Sequence, residues 1–198
     1  MIKLGLTGSI GMGKSETARM FRDLGVPVFD SDAIVHELMG IDGEAVDLVE
    51  DAFPGVKNNN QIDRKELGKR VFGDDGALIK LEKIIHPMVS NKRDEFVEMA
   101  KIDGHDVVVF DIPLLYEKSY ETLCDYVVVV SAPASVQRER VLARPDMTEK
   151  RFAEILSKQV PDNEKREKAD FIVQSDQGFD YAERQVKEIL EKVSLSNA

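Results

Sequence analysis

Gly8, Gly11, Gly13, Lys14 and Ser15 stand in the order G-x-x-x-x-G-K-S, a spacing suited to wrapping a chain of phosphates. The glycines let backbone N–H groups turn inward, and the helix that follows offers its positive end. Lys14 would reach the β- and γ-phosphates of a nucleoside triphosphate, and the Ser15 hydroxyl would ligate Mg²⁺. Ser9, Met12 and Glu16 complete the stretch expected to line the bound nucleotide.

Three further sets of side chains carry charge suited to group transfer. Asp30-Ser31-Asp32 follows an apolar run; one of the three suits helix capping, and another carboxylate could take an acceptor hydroxyl. Asp111 ends a β-branched run before Pro113. It reads either as an acid that reaches Mg²⁺ or as a strand-end cap. Arg140 and Arg144 are i,i+4 neighbours on a helix expected over 134–144 and ended by Pro145, with Arg138 pointing elsewhere. Two adjacent guanidiniums suit a polyphosphate whose charge builds during transfer, although such pairs also occur as solvated surface. His86-Pro87 is expected to join two helices, and His36 and His105 have no partner at metal-ligand spacing. No zinc pattern and no nucleophilic triad is present in the sequence.

Runs at 2–6, 26–29, 106–112, 125–132 and 170–175 are apolar without alternation, as in parallel strands covered on both faces. Ala18, Phe21 and Leu24 give residues 14–24 a helical spacing closed by Gly25. The expected fold is therefore α/β, a five-stranded parallel sheet in three α/β/α layers of the phosphate-loop NTPase type. Two excursions interrupt the alternation. Residues 32–105 read as helices at 32–39, 43–53, 63–73, 76–85 and 87–101, with no strand of their own. Asp63 and Glu66 suggest a capping box after the turn-rich loop "PGVKNNNQ". Residues 133–169 read as a charged helical segment broken at Pro145 and Pro161.

Composition narrows the partners. A net charge of −10 over 198 residues argues against a nucleic-acid surface, which needs clustered lysine and arginine. The single cysteine, Cys124, allows no intrachain disulfide and reads as a small buried residue in a reducing compartment. Met1 runs directly into a strand pattern, and the longest apolar run, 126–130, is too short to span a bilayer. A soluble cytoplasmic protein is expected, a monomer or weak homo-oligomer with no membrane or nucleic-acid partner.

Together these residues resemble the dephospho-coenzyme A kinase family nearly end to end. The resemblance is carried by "GLTGSIGMGKS", "LGVPVFDSDAIVHEL", "IDRKELGKRVF", "IIHPMV", "DIPLLYE", "LCDYVVVVSAP", "QRERVLAR" and "ADFIVQSDQG", with the Q and K of "QVPDNEKREKAD". It implies transfer of the γ-phosphoryl of ATP to the ribose 3′-hydroxyl of dephospho-CoA, with Mg²⁺. It also implies Asp32 as general base, with Lys14, Arg140 and Arg144 completing the catalytic set. Arg64, His86, Pro113, Leu114 and Leu115 would line or brace the acceptor, and 175–178, with Ser175, would hold adenine. The implied division is a nucleotide-binding core (1–31, 106–132 and 170–198), a helical substrate domain (32–105) and a lid (133–169). Departures from the family pattern are Ser9, Met12 and Glu16 in the loop, Gly68, Ser90 and Ser175 elsewhere; Lys92 or Arg93 would compensate for Ser90. Two alternatives stand beside it: another small-molecule or nucleoside monophosphate kinase, or a non-catalytic ATP-binding regulator.

Overall fold

In the computed structural model, which describes residues 1–195, β1 (Ile2–Thr7) leads into α1 (Lys14–Asp23), and β2 (Val28–Asp30) into α2 (Ser31–Leu38). There follow α3 (Val46–Ala52), the short strands β3 (Lys57–Asn58) and β4 (Gln61–Ile62), α4 (Arg64–Val71) and α5 (Asp75–Ile102). The chain then returns through β5 (Val107–Asp111), β6 (Tyr126–Ser131), α6 (Ala134–Leu142), α7 (Glu149–Leu156), α8 (Asp162–Lys168), β7 (Phe171–Gln174) and α9 (Phe179–Leu195).

The expected five-stranded sheet forms in the order β2-β5-β1-β6-β7. β1 runs parallel to β5 and β6, and β6 to β7. All five residues of "VVVFD" in β5 are buried, which explains why these strands show no polar alternation. Leu4, Leu6, Phe21, Val109, Val130, Val173 and Val186 form the centre of one core, joining the sheet to α1 and α9. Each such side chain contributes roughly 1.5–3 kcal/mol on burial. Met1–Phe29 and the chain from Ala100 onward make up one compact unit, and Asp30–Met99 a second. No described helix is long and apolar enough to cross a membrane.

The second unit has its own core of Leu38, Val46, Val49, Phe53, Val56, Ile62 and Leu67. It differs from the expected run of helices in three ways. The loop "KNNNQI" is a hairpin, β3 pairing antiparallel with β4. Asn59 and Asn60 at its tip have φ of 49° and 58°, the left-handed conformation a two-residue turn requires and asparagine tolerates. The helices expected at 76–85 and 87–101 are one helix, α5, with Pro87 inside it. Pro87 and Lys83, whose carbonyl the ring displaces, are both exposed, so water can satisfy the freed group. Asp63 caps α4, accepting from the N–H groups of Lys65 (2.9 Å) and Glu66 (3.0 Å), but no capping box closes. Its own N–H donates to the Val56 carbonyl (2.7 Å), and Glu66 pairs instead with Lys69 and Arg70.

Cys124 is half-buried rather than buried. Its Sγ and the Leu115 side chain lie so near Gly5 that a Cβ there would come within 2.7 Å of each. Gly5 is therefore required by space in the sheet, not by the phosphate loop.

Candidate functional site

The loop between β1 and α1 is built from backbone constraints. Gly13, the residue before α1, has φ 95°, a conformation that L side chains rarely adopt. A Cβ on Gly8 would sit 2.7 Å from the Val130 carbonyl oxygen, so only glycine lets the loop lie against β6. Met12 N–H donates to Ser9 O (3.1 Å), closing a turn inside the loop. No side chain caps α1, which leaves the Lys14 and Ser15 amides, beyond reach of any intrahelical carbonyl, available to an anion.

Two of the expected nucleotide-lining side chains point elsewhere. Met12 is 2 % exposed, and its Sδ accepts from the Ala132 N–H (3.2 Å); the side chain packs at the end of β6 and cannot shape the loop's outer face. Glu16 is held by Arg19 one turn along α1, at 2.7 and 3.0 Å. Ser9 is buried, whereas Ser15 is exposed.

The sheet register brings a carboxylate to the loop. Asp111 lies opposite Leu6, is almost fully buried, and forms an ion pair with Lys14. Arg140 reaches the same loop from α6: Nη1 donates to Ser175 Oγ (2.9 Å) and Nη2 to the Ser175 carbonyl (2.7 Å). Ser175 Oγ in turn donates to Met12 O (2.6 Å), and a Cβ on Gly13 would lie 3.1 Å from Ser175. Lys14 with Asp111, and Arg140 with Ser175, thus converge on the loop.

Arg144 does not join them. α6 ends at Leu142, and the Arg144 N–H turns back to Val141 O (3.1 Å). The helix thus ends two residues short of the expected 144, and Arg144 is exposed past its end. Arg138 pairs with Glu149.

Of the acceptor residues expected after β5, Pro113 accepts from Thr7 Oγ1 (3.1 Å) through its carbonyl, and Leu114 is 39 % exposed. Leu115 is fully buried beside Gly5 and is a core residue, not a lining one, because its side chain fills the space that glycine leaves.

Within the second unit, Asp30 is the capping acid of "DSD", accepting from the Ala33 N–H (2.9 Å). Asp32, in the first turn of α2, is left exposed. Arg64 Nη1 lies 2.9 Å from His36 Nδ1, a contact between α4 and α2 that sequence spacing did not signal. His86 is exposed on α5. Arg93 donates to Ser90 Oγ (2.8 Å) and Lys92 pairs with Glu44 (2.6 Å); of the two cations near Ser90, it is Arg93 that adjoins it.

The family model for dephospho-CoA kinase matches residues 2–180. A dephospho-CoA kinase of Mesorhizobium japonicum is 53% identical over 193 residues, covering 98% of this chain and 97% of its own. The chain belongs to the dephospho-CoA kinase family. Two solved structures share the fold over the family's length. A Thermus thermophilus protein gives a TM-score of 0.83 at 30% identity, covering 96% of this chain and 97% of its own. A Campylobacter jejuni dephospho-CoA kinase gives 0.65 at 25% identity, covering 96% of each chain.

This family member also carries contacts that motif reading left without a role. Gln137 Nε2 donates to Ile10 O (2.8 Å), and Gln159 Oε1 accepts from Ile10 N–H (3.1 Å). Glu117 Oε1 accepts from Val160 N–H (2.8 Å) and forms an ion pair with Lys165 Nζ (2.8 Å), which is fully buried. Ser131 Oγ donates to Asp162 (2.7 Å). The stretches "QRERVLAR" and "QVPDNEKREKAD" contain four of these side chains, but their partners lie 31 to 149 residues away, beyond any local pattern.

Proposed function

We propose that this chain phosphorylates the ribose 3′-hydroxyl of dephospho-CoA with ATP, yielding coenzyme A and ADP, the last step of coenzyme A synthesis. The observation that carries the reading is family membership over almost the whole chain, joined to a glycine loop whose lysine meets a buried carboxylate.

In this reading Lys14 and the amides at the start of α1 bind the β- and γ-phosphates, and 175–178 adjoin the adenine. The oxygen of the ribose hydroxyl attacks the γ-phosphorus, the bond to the β–γ bridging oxygen breaks, and ADP leaves. Asp32, an exposed carboxylate that caps nothing, orients the hydroxyl and takes its proton. Arg140 neutralises charge on the transferring group. Arg64, His86, Pro113 and Leu114 contact or brace the acceptor. Residues 1–31, 106–132 and 170–198 act as the nucleotide core, 32–105 as the acceptor domain and 133–169 as the lid.

Mg²⁺ fits the residues present. Asp111 and Ser15 are hard oxygen donors, and among the described residues no cluster of three or more His, Cys, Asp or Glu forms a cage. A site of one carboxylate, one hydroxyl and substrate phosphates is how Mg²⁺ is commonly held. When bound, it supplies positive charge to the β- and γ-phosphate oxygens. The reading also sets the protein in the cytoplasm, as a monomer or weak homo-oligomer without a nucleic-acid partner, in keeping with its net charge of −10.

The test is direct: purified protein with ATP, Mg²⁺ and dephospho-CoA, followed by mass spectrometry. A single phosphate added at the 3′-position is the expected product. ATP binding with no phosphate on dephospho-CoA would overturn the reading.

A further inference from the structure

Ile10 stands near the tip of the phosphate loop, and both of its backbone groups are held by side chains from outside the loop. Its carbonyl accepts from Gln137 Nε2 at 2.8 Å, and its N–H donates to Gln159 Oε1 at 3.1 Å. Gln137 lies on α6 and is 6 % exposed; Gln159 lies in the turn between α7 and α8.

A trans peptide points its C=O and N–H in opposite directions. Holding the Ile10 carbonyl toward α6 therefore turns the Gly11 N–H away from α6. Giving the Ile10 N–H to Gln159 likewise turns the Ser9 carbonyl the other way, where it accepts the Met12 N–H (3.1 Å). The two glutamines thus fix the orientation of two successive peptide planes. The turn that carries Gln159 is itself anchored, since the next N–H, of Val160, donates to Glu117, whose charge is met by buried Lys165. Gly11 packs against the same helix: a Cβ there would meet Val141 Cγ2 at 2.4 Å and Gln137 O at 3.1 Å.

We propose that Gln137 and Gln159 are positioning residues for the phosphate loop, acting through the two peptide planes flanking Ile10 to aim its amides at the triphosphate. Neither glutamine touches the nucleotide. The inference rests on the loop binding ATP, as proposed above, but not on the identity of the acceptor.

The experiment is calorimetric titration of Mg-ATP into the full chain, with melting temperature and steady-state kinetics recorded for each variant. Gln137→Met and Gln159→Met keep side-chain length and remove the bond; each should weaken ATP about tenfold, the weight of one well-placed hydrogen bond. KM for dephospho-CoA should stay within about twofold, an asymmetry that a general loss of packing would not produce. Gln159→Glu retains an acceptor oxygen and should lie closer to wild type than Gln159→Met. ATP affinity unchanged within about twofold in a well-folded Met variant would overturn the proposal, as would equal losses for ATP and acceptor. Gln159 is half-exposed, so its variant decides the matter if Gln137→Met does not fold. Wild-type protein that binds Mg-ATP yet leaves dephospho-CoA unmodified would sink the acceptor assignment alone, while the titrations would still judge the glutamines.

Discussion

Lys14 and Asp111, 97 residues apart in sequence, form an ion pair at the mouth of the phosphate loop, with their side chains 16% and 5% exposed. The parallel register of β1 and β5 creates it by setting Asp111 beside Leu6. Each residue is the other's counter-charge in a place where an unpaired charge would be costly. In the proposed reaction Lys14 would turn to the phosphates of ATP, and the carboxylate so released would be a hard oxygen donor for Mg²⁺.

Asp111→Asn should therefore raise the Mg²⁺ concentration for half-maximal activity by about 10–100-fold, as loss of a metal-orienting group does. A Mg²⁺ titration of activity at saturating ATP measures it. An unchanged midpoint would leave Asp111 as a partner of Lys14 only.

Asp32 has the opposite setting, exposed in the first turn of α2 while Asp30 takes the capping bond. Asp32→Asn should lower kcat by about 10²–10⁴-fold, the usual weight of a general base, and keep ATP affinity. Near-normal turnover of dephospho-CoA would remove Asp32 from the chemistry.

Arg140 and Arg144 should now separate, although helical spacing pairs them. Arg140 is anchored to Ser175 and through it to Met12 of the loop; Arg144 lies beyond the end of α6. Arg140→Ala should cost about 10³–10⁵-fold in kcat, as for an arginine finger, with Arg144→Ala affecting it less. Equal losses in single-turnover assays would mean that Arg144 acts on the transferring group as Arg140 does.

The legible parts of this chain were those encoded locally. Five unbroken apolar runs gave the sheet, and the spacing of Gly8, Gly13, Lys14 and Ser15 marked the loop. Local patterns failed where a distant partner decided the outcome. Glu66 looked like half of a capping box, but the Val56 carbonyl had already taken the Asp63 N–H. Pro87 looked like a helix boundary, but its solvent-facing position let α5 run through. Leu115 looked like substrate lining in "PLLYE" until the space above Gly5 claimed it. The clamp on Ile10 joins residues 127 and 149 positions apart, which no periodicity can report.

Tyr116 sets an alkaline limit on stability. Its hydroxyl is buried without a hydrogen-bond partner among the described residues, and burial, then the negative charges of Asp170 and Glu121 and the neighbouring Cys124, push its pKa up to about 12. The folded protein therefore keeps this proton at pH values where the unfolded chain, with tyrosine near its ordinary value of about 10, has lost it. Stability from this group is complete below pH ~10 and drains away as pH rises toward ~12, by on the order of 2–3 kcal/mol at most. Urea denaturation of wild type and Tyr116→Phe across this range should show a shallower alkaline decline in the variant. Parallel curves would assign the decline to other groups.

Glu117 and Lys165 make the complementary case, a buried pair in which neither partner can be spared alone. Lys165 is fully buried, and Glu117 also receives the Val160 N–H beside Gln159. Lys165→Met leaves an uncompensated carboxylate, and Glu117→Gln an uncompensated ammonium; each should cost about 3–5 kcal/mol, whereas removing both charges together should cost less than the two single losses added. Because Glu117 anchors the turn that carries Gln159, Glu117→Gln should also weaken ATP binding in protein that remains folded, which chemical denaturation and nucleotide titration on the same sample would separate. Additive single and double variants would mean that the two charges are solvated independently, and the turn would then owe its position to the Val160 bond alone.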